Sequence, residues 1–319
     1  MARIYVGTGG WAYFDIPGRD ALREYARHYD FVEVDSTFYH MPREDQVLSW
    51  RRRVPRDFEF AVKANRRLTH VLGLEPVPEA LDLFEEHKVI CSLLESDILV
   101  LQTPTSMELT SKKIERIRKF FSAVAPFEFR LAWEIRRPEG KPIPSGLIAL
   151  MEKFDVLHSA DLSVSTPKYL SDLIYSRLFG PGRHNVYQFA DEELAMIVER
   201  AEEQGISRSY LSFHGIKMYK DAARLKVFME TASFPMATGR VGLESLREAL
   251  KEDATFPASK QVLLSEQGWK VIDLSVNRRV KASVLLEKLP SKSYKNVQDV
   301  MKSLTHAAAT EEEVPWNSL

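Results

Sequence analysis

The sequence predicts an α/β protein: a TIM-type (β/α)8 barrel followed by a small all-α C-terminal domain. Three observations carry this. Eight short β-branched and aromatic runs recur through the first 215 residues, amphipathic stretches of helical period separate most of them, and past residue 238 helical periodicity takes over. Strands alternating with helices build a parallel sheet through crossover connections. Eight such units suit closure into a barrel.

Taken in order, the strand-like runs are 3–7 (RIYVG), 31–35 (FVEVD), 58–63 (FEFAVK), 97–102 (DILVLQ), 128–134 (EFRLAWE), 156–161 (VLHSAD), 173–178 (LIYSRL) and 209–214 (SYLSFH). The intervening helical stretches are 19–28, 77–94, 111–123, 143–154 and 191–204. The sixth and seventh runs lie too close for a full helix, so VSTPKYLSD reads as a turn or loop. An open doubly wound sheet is the competing fold. It commonly carries a G-x-G-x-x-G fingerprint after its first strand, which Gly7, Gly9 and Gly10 do not satisfy.

The fifth run alternates Phe129, Leu131, Trp133 and Ile135 with Arg130, Ala132, Glu134 and Arg136. A period of two sends the apolar set toward the helices and the charged set into the barrel. Glu33 and Asp35 share one side of the second run, and Glu59, Ala61 and Lys63 one side of the third. Charges inside a barrel are costly unless paired, so these are expected to pair or to line the mouth.

Of 319 residues, 45% are hydrophobic and 28% charged, ordinary for a globular protein. No apolar run reaches the roughly 18 residues that span a bilayer. The first twenty residues lack the long apolar core of a secretion signal, so a cytoplasmic protein without a membrane partner is expected. A single cysteine, Cys91, allows no internal disulfide and no cysteine-cluster metal site. The net charge of −1 signals no nucleic-acid partner by itself.

Three segments follow: the barrel over 1–238, a helical domain over 239–306 and a tail over 307–319. Residues 239–306 hold 12 Lys/Arg against 8 Asp/Glu, and the tail holds Glu311, Glu312 and Glu313, with Trp316 available to dock. The stretch 277–295 concentrates Arg278, Arg279, Lys281, Lys288, Lys292 and Lys295, a pattern able to dock a phosphate backbone or to form a solvated helix face.

Active sites of such barrels sit at the C-terminal ends of the strands. Those ends collect Thr8, Glu33, Asp35, Lys63, Gln102, Glu134, Arg136, Asp161, Arg177 and His214. Glu134 is the leading acid/base candidate, with Arg136 two residues on to hold it ionised. Asp161 or Glu33 is the second carboxylate of a hydrolytic pair. Lys63 stands as a Schiff-base amine or an ion-pair partner. After the seventh strand the loop 177–185 (RLFGPGRHN) offers Gly182 N–H and Arg183 to a phosphate, or forms a plain tight turn. His70, His158 and His214 with the carboxylates are enough for one divalent metal, although no H-x-x-x-H or H-x-H pair occurs.

The runs Gly7-Thr8-Gly9-Gly10-Trp11-Ala12-Tyr13, Glu33-Val-Asp-Ser-Thr37-Phe38-Tyr39, Trp50, Phe60-Ala-Val-Lys63 with Thr69-His70, Leu101-Gln102-Thr-Pro104 and Glu134-Ile-Arg136 resemble the YecE-like family, domain of unknown function seventy-two. The likeness covers about residues 1–238. It implies a TIM barrel, and it implies that Glu33, Lys63, His70, Gln102, Glu134 and Arg136 share a site. Trp11 and Tyr39 are further candidates for substrate binding. It implies no reaction. The family has been compared with the endonuclease IV and xylose isomerase barrels, but the former group needs more metal-binding histidines than this chain has. Three departures stand out: Gly9 replaces a serine, Arg137 stands where a histidine is frequent, and Phe213-His214-Gly215 replaces an aromatic-Asn-Asn end. The segment FPASKQVLL…LEKLPSKSYKNVQDVMKSL is similar to a second uncharacterised helical family, domain of unknown function twenty-seven ninety-five.

The function expected on these grounds is an enzyme hydrolysing a phosphorylated small molecule or nucleic acid at the barrel mouth. A sugar-phosphate isomerase or lyase, and a non-catalytic nucleic-acid or protein adaptor, are the alternatives. The oligomeric state and the cofactor are left open.

Overall fold

A computed structural model describes residues 3–138, 140–183 and 185–310. His184 of the loop after the seventh strand, and Glu311, Glu312, Glu313 and Trp316 of the tail, lie outside the described residues.

Eight parallel strands form one nearly closed barrel. They are β1 (Arg3–Thr8), β2 (Phe31–Val34), β3 (Glu59–Lys63), β4 (Ile98–Thr103), β5 (Arg130–Ile135), β6 (Val156–His158), β7 (Leu173–Leu178) and β8 (Arg208–Phe213). Their order is β6-β5-β4-β3-β2-β1-β8-β7, so the seam falls between β6 and β7. That is where the sequence leaves no room for a helix. The connecting loop packs along it: His158 N–H of β6 donates to the Tyr169 carbonyl of the loop at 3.1 Å, and the loop's Leu162 N–H donates to Ser176 Oγ of β7 at 3.1 Å.

The helices of this part are α1 (Ala21–Tyr25), α2 (Glu44–Arg53), α3 (Pro78–Leu94), α4 (Ser111–Val124) and α5 (Ser145–Phe154). α4 shows why they form. Thr110 caps its first turn by accepting from Lys113 N–H at 3.2 Å, and Ile117, Phe120, Phe121 and Val124 recur at helical spacing on the buried face. α3 starts on Pro78, whose missing N–H costs nothing in a first turn. It ends on Glu95 in the left-handed region at φ 55°.

Inside the barrel, Tyr5, Phe31, Ala61, Val100, Ala132, Leu157, Tyr175 and Tyr210 form one buried cluster. Ala132 and Ala61 belong to it, as the period-two reading of β5 and β3 requires, while Trp133 faces Phe121 of α4 at 5.7 Å. The apolar layer forms the floor beneath the charged strand ends.

The chain divides into two compact units, residues 1–178 with 197–214, and residues 179–196 with 215–319. The second unit holds the start of α6 (Asp191–Glu203), then α7 (Met218–Thr231), α8 (Leu243–Asp253), β9 (Ala258–Ser259), α9 (Lys260–Gln267), β10 (Val271–Ser275), β11 (Arg278–Lys281), α10 (Ser283–Leu286), β12 (Ser293–Tyr294) and α11 (Val297–Thr310). Its core is Leu246, Leu250, Leu263, Ile272, Leu286, Tyr294, Val300 and Leu304.

The C-terminal part is therefore not all-α. β10 and β11 make an antiparallel hairpin, and β9 pairs with β12. The window from Val280 reads as an amphipathic helix, but Ile272 pairs across with Val280, and only Ser283–Leu286 is helical. α11 runs to Thr310, into the expected tail. Among the described residues no helix is long and apolar enough to cross a membrane.

Gly7 sets a sharp steric condition on the barrel. A Cβ there would lie 2.2 Å from the Phe31 carbonyl oxygen and 2.8 Å from its ring. Gly7→Ala is expected to destabilise the protein by about 1–3 kcal/mol or more through overpacking, measured by denaturant unfolding. Gly146→Ala, whose Cβ would meet nothing closer than 3.9 Å, is the control and leaves stability almost unchanged.

Candidate functional site

The C-terminal ends of β2, β3, β4, β5, β7 and β8 converge on one charged cluster. Its hub is Arg177 at the end of β7, with a side chain 2% exposed. Its Nε donates to Glu33 Oε2 at 3.0 Å and its Nη1 to Gln102 Oε1 at 2.8 Å and to Glu134 Oε2. Nη2 lies 3.0 Å from Glu33 Oε1 and 3.8 Å from Asp35 Oδ1. Tyr175, two residues earlier on the same face, donates to Glu33 Oε2 at 2.7 Å. Arg136 Nε closes the outer end on Glu134 Oε1 at 2.5 Å.

Asp35 and Lys63 stand nearer the opening, paired at 2.8 Å. The 3-10 turn after β2 (Asp35–Phe38) places them. Thr37 Oγ1 donates to the carbonyls of Val34 and Lys63, each at 2.6 Å, which ties the ends of β2 and β3 together. Asn65 Nδ2 donates to the Thr37 carbonyl at 2.8 Å, and buried His87 Nε2 accepts the Asn65 N–H at 2.9 Å. On the other side His214 Nδ1 lies 3.8 Å from Asp35 Oδ2, and Nε2 lies 3.6 Å from Glu33 Oε2 and 3.1 Å from Ser212 Oγ. Gly9 makes room for that imidazole. A Cβ at position 9 would meet His214 Cε1 and Nδ1 at 2.4 Å and Asp35 Oδ2 at 2.7 Å.

This packing pushes the carboxyl groups apart. Burial alone would raise Glu33, but Arg177 and then His214 outweigh it and hold Glu33 well below the usual range. For Asp35, burial and the charge of Glu33 raise the pKa, and Lys63, His214 and Arg177 offset only part of that. Burial would also raise Glu134, yet Arg177 and Arg136 bring it down to about 2. Burial opposes the charge on Arg177, and Glu134, Glu33 and Asp35 more than restore it. Burial lowers His70, helped by the charges of Arg136, Arg66 and Lys63.

Glu33, Lys63, Gln102, Glu134, Arg136, Arg177 and His214 thus come together as expected from their strand ends. Others do not join them. Thr8 points away from the interior: its Oγ1 donates to the Gly10 carbonyl at 2.9 Å, and its N–H to the Tyr25 hydroxyl at 2.8 Å. Asp161 turns back on its own chain, accepting from Ser163 N–H at 2.9 Å and Ser163 Oγ at 2.6 Å. Trp11 packs edge-on against Trp50 at 5.4 Å. His70 and exposed Tyr39 both contact Phe38 beside Lys63, with ring centres 5.1 Å away in each case. His158 is buried and accepts from Lys168 N–H at 3.0 Å.

Gly182 and Arg183 belong to the second unit, in a tight turn closed by an Arg183–Val186 bridge. A Cβ at Gly180 or Gly182 would meet the Tyr187 ring at 2.2 or 2.4 Å, so these glycines admit an aromatic ring against the turn. The basic stretch is also engaged locally. Arg279 pairs with Asp191 at 2.5 Å, and Lys281 lies 3.4 Å from Glu193 and 4.0 Å from the Tyr187 ring.

Among the described residues, Glu33, Asp35 and His214 are the group whose oxygen and nitrogen atoms come within 4.8 Å of one another. Their surroundings do not suit a resident divalent cation. Glu33 Oε1 already faces Arg177, and Asp35 Oδ1 faces Lys63, so a metal there would stand beside two fixed positive charges. His70, Glu134 and Asp161, the other candidate ligands, are not part of this group.

The sequence pattern of the family described as a protein of unknown function, DUF72, matches residues 5–238. The chain belongs to the DUF72 family. It is 30% identical over 140 residues to the UPF0759 protein YecE of Escherichia coli K12, covering 43% of this chain and 49% of that protein. The chain thus spans about half the length of this curated relative. Among solved structures it is similar to a DUF72 protein of Thermotoga maritima (TM-score 0.57, 20% identity, 71% of this chain and 99% of that one). A DUF72 protein of Enterococcus faecalis is similar at TM-score 0.55 and 19% identity, over 73% of this chain and 98% of that one. These likenesses show the fold.

Two members of the cluster escape a reading of strand ends. Tyr175 looks like an ordinary aromatic core residue, and only its place two residues before Arg177 hints that its hydroxyl reaches Glu33. Ser212, on the same face as His214, is equally inconspicuous.

Arg177→Met strands Glu33 as a buried charge without its main partner, and is expected to cost about 3–5 kcal/mol of stability. Glu134 gives a pH signature. Its pKa is depressed from 4.5 to about 2, so its ionised form favours the folded state above pH 4.5, and that contribution fades as the pH falls from 4.5 toward 2. Thermal melts of wild type and Glu134→Gln should therefore converge through this interval.

Proposed function

We propose that the barrel mouth is the active site of a hydrolase that cleaves small phosphorylated substrates by general acid–base chemistry. The observation that carries this reading is the opposed behaviour of Glu33 and Asp35 in one buried cluster. Arg177 lowers the one carboxyl, while burial and the charge of Glu33 raise its neighbour, beside the paired Lys63 at the opening. Active sites assign acid and base roles by such separation of neighbouring groups.

The roles follow from position. Asp35, with a side chain 29% exposed, protonates the departing oxygen as water adds to phosphorus and the P–O bond breaks. The proton of the attacking water passes to a phosphoryl oxygen of the substrate and Asp35 is reprotonated from solvent, while His214, 3.8 Å away, borders the acid. Arg136, also 29% exposed at the opening, and Lys63 hold the phosphoryl oxygens. Glu134, at about 2, is too weak a base for the role expected of it, and instead aligns Arg136 and Arg177. Lys63 is engaged by Asp35 and by the Phe38 ring at 4.4 Å, contacts that favour an anchoring cation over a Schiff-base amine.

The test is phosphate release from a panel of phosphomonoesters. Asp35→Asn should retain the fold and lose about 10²–10⁴ in kcat/KM. Because the acid form is the working one, the wild-type rate should fall as the pH rises through the raised Asp35 pKa, and this limb should vanish in the variant. Wild-type turnover by Asp35→Asn, or no release from any ester, would sink the assignment.

A further inference from the structure

Beside the charged cluster lies an aromatic shelf that the acid–base reading leaves unused. Lys63 Nζ sits 4.4 Å above the Phe38 ring. Phe38 in turn meets Tyr39 and His70 edge-on, each at 5.1 Å. Phe38 and His70 are half-buried, while Tyr39 is 63% exposed. Aromatic side chains beside a few convergent polar groups are the usual lining of a small-molecule site.

The shelf is also held rigid. Thr37 anchors its turn to β2 and β3, and Asn65 anchors Thr37. Thr69 Oγ1, buried, lies 2.9 Å from His70 Nδ1. Burial, with Arg136, Arg66 and Lys63 nearby, favours the uncharged imidazole, whose face accepts a stacked ring. Lys63 lies over the Phe38 ring, Lys63 and Arg136 both act on the charge of His70, and Tyr39 is the exposed member of the group.

We propose that Phe38, Tyr39 and His70 form the subsite for a planar ring, so that the substrate is a nucleoside monophosphate, with its base on the shelf and its phosphate at Lys63 and Arg136. This rests on the reading of the mouth as a site for phosphorylated molecules and adds the other half of the ligand. Base–aromatic stacking is tolerant of base identity, because every base offers a π face. Purine and pyrimidine nucleotides should therefore bind alike to within a few-fold.

Titration calorimetry on the full chain with a nucleoside monophosphate, ribose 5-phosphate and inorganic phosphate separates the two halves. The wild type should bind the nucleoside monophosphate roughly 10-fold or more tightly than ribose 5-phosphate. Tyr39→Ala and His70→Ala should abolish that preference while leaving ribose 5-phosphate affinity unchanged. Arg136→Met should weaken both ligands alike. Equal affinity for the two ligands in the wild type, with both still dependent on Arg136, would overturn the ring subsite and leave the phosphate site standing. No binding of any phosphate compound would overturn both.

Discussion

Arg177 reaches Glu33, Gln102 and Glu134 from within the barrel, with only 2% of its side chain exposed. Everything charged at the mouth depends on it. A guanidinium has five donors in a fixed plane, so it can satisfy several acceptors without moving. Without it, Glu33 would lose its main partner and Glu134 would keep only Arg136, so both buried carboxylates would be driven toward the protonated form. With it, the acidic groups become inequivalent. Glu33 and Glu134 are held down, while Asp35, which meets Arg177 only at 3.8 Å, is left exposed to the field of Glu33.

The apolar floor is the other condition. Tyr5, Phe31, Tyr175 and Tyr210 fill the barrel below the charges and exclude water from beneath Glu33. Tyr175 serves both layers, with its ring in the cluster and its hydroxyl on Glu33. The cost of desolvating the charges is offset by ion pairs and hydrogen bonds, although Glu33 Oε1 and Asp35 Oδ1 are buried with ion-pair neighbours and no hydrogen bond. Gly9 and His214 show the same economy of space, since the imidazole occupies what a side chain at position 9 would fill.

Most of the barrel was legible from the chain, and the reasons are local. β5 alternates strictly, and its alternation alone sends Ala132 and Glu134 inward and Trp133 outward. The short interval between β6 and β7 excluded a helix there, and the barrel's seam falls at that place. The C-terminal hairpin was not legible, because a few apolar residues around Val280 satisfy a helical period as well as a strand's, and pairing with Ile272 decides between them. Thr8 and Asp161 stand at strand ends like the true members of the cluster, but the first faces Tyr25 and the second caps its own turn. Thr8 is the last residue of β1 and falls on the face opposite Tyr5, whereas Asp161 lies beyond the end of β6, where alternation no longer sets its direction.

The sequence by itself determined the family, the barrel class and the alternation that puts Ala61 with Lys63 and Ala132 with Glu134, because each of these follows from local period and motif. Which side chains touch was decided only by closure of the barrel. Glu33 and Arg177 are 144 residues apart in sequence and meet because β2 and β7 bend around a common axis. The difference between Glu33 and Asp35, two like carboxylates two residues apart, is likewise tertiary. It arises from burial and from which cation each one faces, and neither quantity exists in the unfolded chain.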